Sequence, residues 1–390
     1  MSPAQGPPTG DPSAGDPSAG DSVAGVVEAH AAAALHRWDM VRDEEVRGRL
    51  VRTGIGASVV RCFPAADLDG QRVVAETFMW FTAFDDLHES GDGNKGENGD
   101  GTGPAPGAVD TAVVIARLVG ILESGGPGEP GGPGGLVGRG GPCGPVGPGG
   151  ARGTVDDATV AAFASVTATL RPRLSPAQFG RLADAVRGYF LAVLWERSAR
   201  EVTAADYLTM RRHLSFARML PPLVEWATGQ ELADAFHRGP VTDHLLKRFC
   251  DVVLLFNDIV SFPWEQAHGP DTGELSNLIT ITARRDGCPV EDAADRVRAM
   301  LDEACAAYRA LRDSLARSAP WSRTYLRGLD DFLDGLLSDH LPGRYGTATT
   351  GTEPATGTGT VTEPATGTGT ATGARAGTAT GSTATTASRI

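Results

Sequence analysis

VVLLFNDIVSFPWE, residues 252–265, joins an unbroken apolar run to three polar side chains set four residues apart: Asn257, Ser261 and Glu265. A four-residue step is helical, so the three stack on one face, each about 6 Å beyond the last. Their amide, hydroxyl and carboxylate oxygens are hard donors, the set suited to magnesium or manganese. One negative charge among three ligands holds a divalent ion weakly, so an anion such as a phosphate is expected to complete the shell. Pro263 removes one helical hydrogen bond and is expected to bend or end the helix.

The same period runs outward through the chain. Helical patterns cover 29–50, 67–89, 109–124, 156–170, 175–200, 205–219, 241–262, 273–287, 290–317 and 321–340. The 175–200 helix opens on a Ser175 cap with Pro176 in its first turn. No run alternates apolar and polar residues between hairpin turns, so the fold class expected is all-α. Two Gly/Pro-rich stretches, 90–107 and 125–150, read as loop insertions at one edge of the helical bundle. Residues 1–24 and 347–390 are repetitive and poor in large apolar side chains, and are expected to be disordered. One domain, 25–346, remains.

The chain has 390 residues and a formal net charge of −13, which argues against nucleic acid as a partner. No apolar run approaches the roughly 18 residues of a membrane span, and no leader is visible at the N-terminus. Five cysteines without paired spacing fit a reduced, cytoplasmic protein.

Three further clusters carry chemistry. In FDDLHE, the carboxylates Asp85, Asp86 and Glu89 fall within about one turn at the C-terminal end of a buried helix. Acids are unfavourable at that end of the macrodipole and repel one another, and a bound cation resolves both conflicts. In YLTMRRHLSF, Arg211 and Arg212 are adjacent and must point differently; guanidinium groups suit bidentate phosphate binding. GRYG, with Arg344 and Tyr345, says nothing alone.

Together, in this order, the four clusters resemble the bacterial class I terpene synthases, whose aspartate-rich motif and Asn-Ser-Glu triad face each other across the mouth of an α-helical barrel. The resemblance spans most of residues 30–346. RCFPAADLD (61–69) is similar to the lead-in to the aspartate-rich helix, LWERSAR (194–200) to the Trp-Glu stretch before the sensor helix, and Asn277-Leu278 to a later Asn-Leu pair. Arg211 stands 46 residues before Asn257 (257 − 211), where the family places its diphosphate sensor.

The resemblance implies a single α-helical domain and three Mg2+ ions. Asp85 would bridge two of them with support from Asp86 and Glu89, and Asn257, Ser261 and Glu265 would chelate the third. Arg211, Arg344 and Tyr345 would hold the diphosphate of a small-molecule prenyl diphosphate, and Phe78, Phe81, Trp195 and Phe256 are candidates for the cavity wall. The expected reaction is cyclisation of a linear prenyl diphosphate, first farnesyl diphosphate, with geranylgeranyl diphosphate as the alternative, by a monomer or homodimer. A chain-elongating prenyltransferase would need a second aspartate-rich motif where NDIVSFPWE stands. A non-catalytic helical interaction protein derived from a cyclase is the reading of another class. The chain departs from the family pattern at Glu89, which makes the motif DDxxE, and at Trp264, where a basic residue is usual. It also lacks a tryptophan shortly before Arg344.

Overall fold

A computed structural model describes residues 17–89, 111–124, 154–198, 202–268 and 277–338. Arg344, Tyr345, the Gly/Pro-rich stretches 90–107 and 125–150, and residues 347–390 lie outside them. So does the side chain of Glu89, whose backbone is helical.

The described residues form fourteen helices and no strand. In chain order these are α1 (Pro17–Trp38), α2 (Glu44–Val51), α3 (Ile55–Cys62), α4 (Leu68–Glu89), α5 (Thr111–Glu123), α6 (Val155–Leu170) and α7 (Pro176–Ser198). They continue with α8 (Ala204–Leu214), α9 (Leu220–Ala227), α10 (Asp234–His237), α11 (Pro240–His268), α12 (Leu278–Asp286), α13 (Val290–Ser318) and α14 (Arg323–Ser338). The all-α reading holds across the described residues. None of these helices is long and apolar enough to cross a membrane. The described cysteines, Cys62, Cys250, Cys288 and Cys305, are free thiols.

Helix starts follow capping chemistry. Thr154 and Thr203 each accept from the backbone N–H three residues on, at 3.1 Å, and form full capping boxes with Asp157 and Asp206. Ser175 accepts from Gln178 N at 3.2 Å, as its position before Pro176 implies.

The sequence reading placed no helix over α3, α9 or α10, and the structure differs from it at four further places. The 29–50 pattern is two helices, because Asp39 takes a left-handed backbone (φ 53°) and Asp43 caps α2 by accepting from Glu45 N and Val46 N. α1 starts at Pro17, inside the segment read as a tail; extending a nucleated helix costs little per residue. The 205–219 pattern stops at Leu214, and Phe216 then adopts φ 59° before a 3₁₀ turn over Ala217–Met219. Left-handed backbone costs an aromatic residue about 1–2 kcal/mol, and the Phe216 ring offsets this by packing 5.1 Å from Tyr189 and 5.4 Å from Phe81. Finally, Pro263 does not end α11, which runs on to His268.

α4 lies at the centre of one half. Trp80 is fully buried, stacks on Phe84 at 5.0 Å, meets Phe163 at 4.6 Å and donates its indole N–H to Thr159 C=O at 3.3 Å. α3 wedges between α1 and α14 at glycines: a Cβ on Gly56 would lie 2.4 Å from Glu28 N, and one on Gly335 2.7 Å from Arg61 O. In the other half α11 packs along α13 and also touches α8, α12 and α14.

Candidate active site

The oxygen triad sits on the last turns of α11. Ser261 is buried, and its Oγ makes no hydrogen bond of ordinary geometry, although it lies close enough to Glu265 to favour the ionised carboxylate. A buried hydroxyl normally has a partner. An unsatisfied oxygen between an amide and a carboxylate on one helical face fits a hard divalent cation.

The two adjacent arginines of α8 separate cleanly. Arg211 donates from Nη2 to Asn257 Oδ1 at 2.9 Å and from Nε to Asp258 Oδ1 at 3.1 Å. Arg212 donates from Nε to Asp251 Oδ1 at 2.6 Å, a carboxylate that also accepts from Arg248 at 3.1 Å. Asp251 and Asp258 are seven residues apart on one face of α11, so α8 is fastened along α11 at two levels, and only the upper level touches the triad.

Asp258, fully buried, is the hub beneath the triad. Besides Arg211 it accepts from Tyr207 Oη at 2.7 Å and from Leu278 N at 3.0 Å. Burial raises its pKa, against the pull of Arg211, the Tyr207 hydroxyl and the Leu278 N–H. The Glu265 carboxyl is likewise pushed up by burial and by the charge of Asp258, and drawn down by Ser261, Arg211 and Asn277. A cation at the triad would favour its ionised form.

At the C-terminal end of α4, Tyr189 on α7 donates to Asp85 Oδ1 at 3.0 Å, and Arg49 on α2 pairs with Asp86 at 2.9 Å. Among the described residues no three His, Cys, Asp or Glu side chains converge into a cage. Glu196 on α7 feels charges from both clusters. Burial pushes its carboxyl up to about 7, with Arg211 and Arg197 lowering it and Asp85 raising it. Asp85 and Arg211 are therefore both within electrostatic reach of one side chain.

Of the aromatic candidates, Phe81 belongs to the cluster with Trp80, Phe163 and Tyr189, and Phe78 packs on Phe63 at 6.0 Å. Trp195 is half-buried against the core. Phe256 is 8 % exposed and stands outside the contiguous apolar core. The sequence reading did not single out Tyr189, Glu196, Tyr207 or Asp258, and it noted Asn277 without a role. Burial of their polar groups marks them, and burial is not written in spacing.

Residues 147–307 match the family model for terpene synthase family 2, C-terminal metal binding. The chain is 30 % identical over 290 residues to labda-7,13(16),14-triene synthase of Streptomyces clavuligerus, covering 73 % of this chain and 72 % of that one. The chain belongs to the bacterial class I terpene synthase family. It is also 26 % identical to (+)-(1(10)E,4E,6S,7R)-germacradien-6-ol synthase of Streptomyces pratensis, over 80 % of each chain. The synthase fold is shared with 2-methylisoborneol synthase from Streptomyces coelicolor A3(2), solved with Mg2+ and 2-fluoroneryl diphosphate. The TM-score is 0.63 at 19 % identity, covering 85 % of this chain and 94 % of that one. This synthase is therefore an enzyme of the terpene cyclase class.

Proposed function

We propose that this synthase ionises an allylic prenyl diphosphate with magnesium, releases pyrophosphate and cyclises the carbocation. The observation that carries the reading is the bond from Arg211 to Asn257: a cation suited to diphosphate and a donor set suited to a metal occupy one place. Asn257, Ser261 and Glu265 would hold one ion, and Asp85, supported by Asp86 and Glu89, two more. When bound, magnesium supplies positive charge against the departing diphosphate.

Arg211, Arg344 and Tyr345 are assigned to the diphosphate oxygens. Asp258 and Tyr207 keep the Arg211 fork aimed, and Tyr189 fixes one oxygen of Asp85. Phe78, Phe81, Trp195 and Phe256 are assigned to the cavity wall, where an aromatic face stabilises a desolvated cation by up to about 2 kcal/mol. A dry wall also keeps water from quenching the cation.

Farnesyl diphosphate is the first candidate on general grounds, while the missing tryptophan before Arg344 leans toward a larger cavity. The labdatriene synthase among the relatives favours a twenty-carbon substrate, and the germacradienol synthase supports fifteen. Incubation with Mg2+ and C10, C15 and C20 prenyl diphosphates, followed by analysis of volatile products and pyrophosphate, tests the reading. Mg2+-dependent pyrophosphate release with a cyclic product from one chain length is expected. No pyrophosphate from any of them would overturn it.

A further inference from the structure

Asn277 is 1 % exposed, and each polar atom of its side chain is engaged. Its Oδ1 accepts from Ile279 N at 2.9 Å, the N-cap bond of α12. Its Nδ2 donates to the Asp258 main-chain oxygen at 2.8 Å and to Glu265 Oε2 at 3.0 Å. A primary amide has two donor hydrogens, and both are directed at α11. An N-cap needs only the oxygen, so capping does not explain the amide nitrogen.

Glu265 has reason to need such a partner. It follows Pro263, which cannot donate to the helical ladder, so backbone bonding alone fixes this turn less firmly than the turns of Asn257 and Ser261. The Asn277 amide ties the Glu265 carboxylate to a point fixed by Asp258, whose own carboxylate holds Leu278 N.

We propose that Asn277 is a positioning residue for the metal-binding glutamate: it aims one oxygen of Glu265 and leaves the other toward the triad. The proposal rests on the reading of Glu265 as a metal ligand. Hydrogen-bond partners that orient metal ligands typically change metal affinity or activity 10–100-fold when removed.

Asn277→Ser and Asn277→Asp both keep an oxygen to cap α12, and neither keeps the amide NH2 that donates to both Asp258 C=O and Glu265; the shorter serine keeps one O–H and cannot make both bonds. Asn277→Asp also sets a carboxylate against Glu265. Mg2+ is titrated calorimetrically into each full-length protein with inorganic pyrophosphate present. Half-saturating Mg2+ and kcat at saturating Mg2+ are measured in parallel, with Glu265→Gln as reference.

Asn277→Ser is expected to raise half-saturating Mg2+ about tenfold or more, and Asn277→Asp further, while kcat at saturating Mg2+ returns to within a few-fold and Tm moves little. If Glu265→Gln weakens binding and Asn277→Ser does not, Asn277 has no positioning role and the triad stands. If neither weakens it, the reading of Glu265 fails and this proposal with it. A drop in Tm with turnover that high Mg2+ does not restore would make Asn277 a structural cap only and overturn the proposal.

Discussion

Arg211→Lys and Arg212→Lys are the same chemical change one residue apart, and the structure expects them to behave differently. Arg211 uses two nitrogens of a planar fork, Nε on Asp258 and Nη2 on Asn257, at 3.1 and 2.9 Å. A lysine ammonium is a single point charge and cannot span both. Losing one charge-assisted bond in a largely buried site costs about 1.5–3 kcal/mol, and losing a preorganised donor to a developing anion costs about 3–4 kcal/mol. Taking about 3 kcal/mol at the transition state gives a kcat roughly a hundred-fold lower.

Arg212 binds Asp251, which keeps Arg248 as a second partner, so the carboxylate is not stranded. Arg212→Lys should cost about 1 kcal/mol of stability, roughly 2–4 °C in Tm, and leave kcat within about three-fold. The assay is pyrophosphate release at saturating Mg2+ on the best substrate, with thermal unfolding of both variants. Equal losses of kcat in the two variants, or an Arg211→Lys enzyme within three-fold of wild type, would refute the assignment of Arg211 to the diphosphate.

Four further outcomes follow from buried and partly buried positions. Arg181 donates to both oxygens of fully buried Glu225 at 2.9 Å, and Glu225 also accepts from the Leu232 N–H at 2.6 Å and pairs with His237 at 3.1 Å, so Arg181→Ala removes one of three partners and should cost about 1.5–3 kcal/mol in thermal unfolding; adding Glu225→Gln should recover part of it. Burial raises the Glu225 pKa, but His237, the Leu232 N–H and Arg181 bring it below its ordinary 4.5, so its stabilisation is full above that pH and lost as pH falls through the folded value. The Tm gap between wild type and Glu225→Gln should accordingly narrow in acid. Glu196 has the opposite sign: its folded pKa of about 7 exceeds the unfolded 4.5, so metal-free wild type loses stability as pH rises between those values. Glu196→Gln should therefore gain on wild type in Tm at pH 8 but not at pH 4. Gly335→Ala places a methyl 2.7 Å from Arg61 O, and overpacking of this kind costs about 1–3 kcal/mol, read by denaturant unfolding.

The helical fold and the triad were legible because both are periodic. A four-residue step places Asn257, Ser261 and Glu265 on one face whatever surrounds them, and the cap at Ser175 is local chemistry. The break after Leu214 was not legible: no glycine marks it, and the left-handed Phe216 is held by rings on α4 and α7 that are distant in sequence. Only the resemblance divided Arg211 from Arg212; residue type and spacing alone could not, because the division depends on which carboxylate of α11 each one meets. Asp258 and Tyr207 escaped notice for the same reason, and Asn277 was noted without a role. Their roles are contacts made across 51, 47 and 19 residues of chain, and a single sequence records no distances of that kind.

Anomalous diffraction from crystals soaked with Mn2+ and inorganic pyrophosphate tests the central claim most directly. Manganese shares magnesium's preference for oxygen ligands and marks its own position. One peak is expected within bonding distance of Asn257 Oδ1, Ser261 Oγ and the Glu265 carboxylate, with further peaks at Asp85 and pyrophosphate against Arg211. Pyrophosphate bound with manganese elsewhere, and no peak at the triad, would contradict the account.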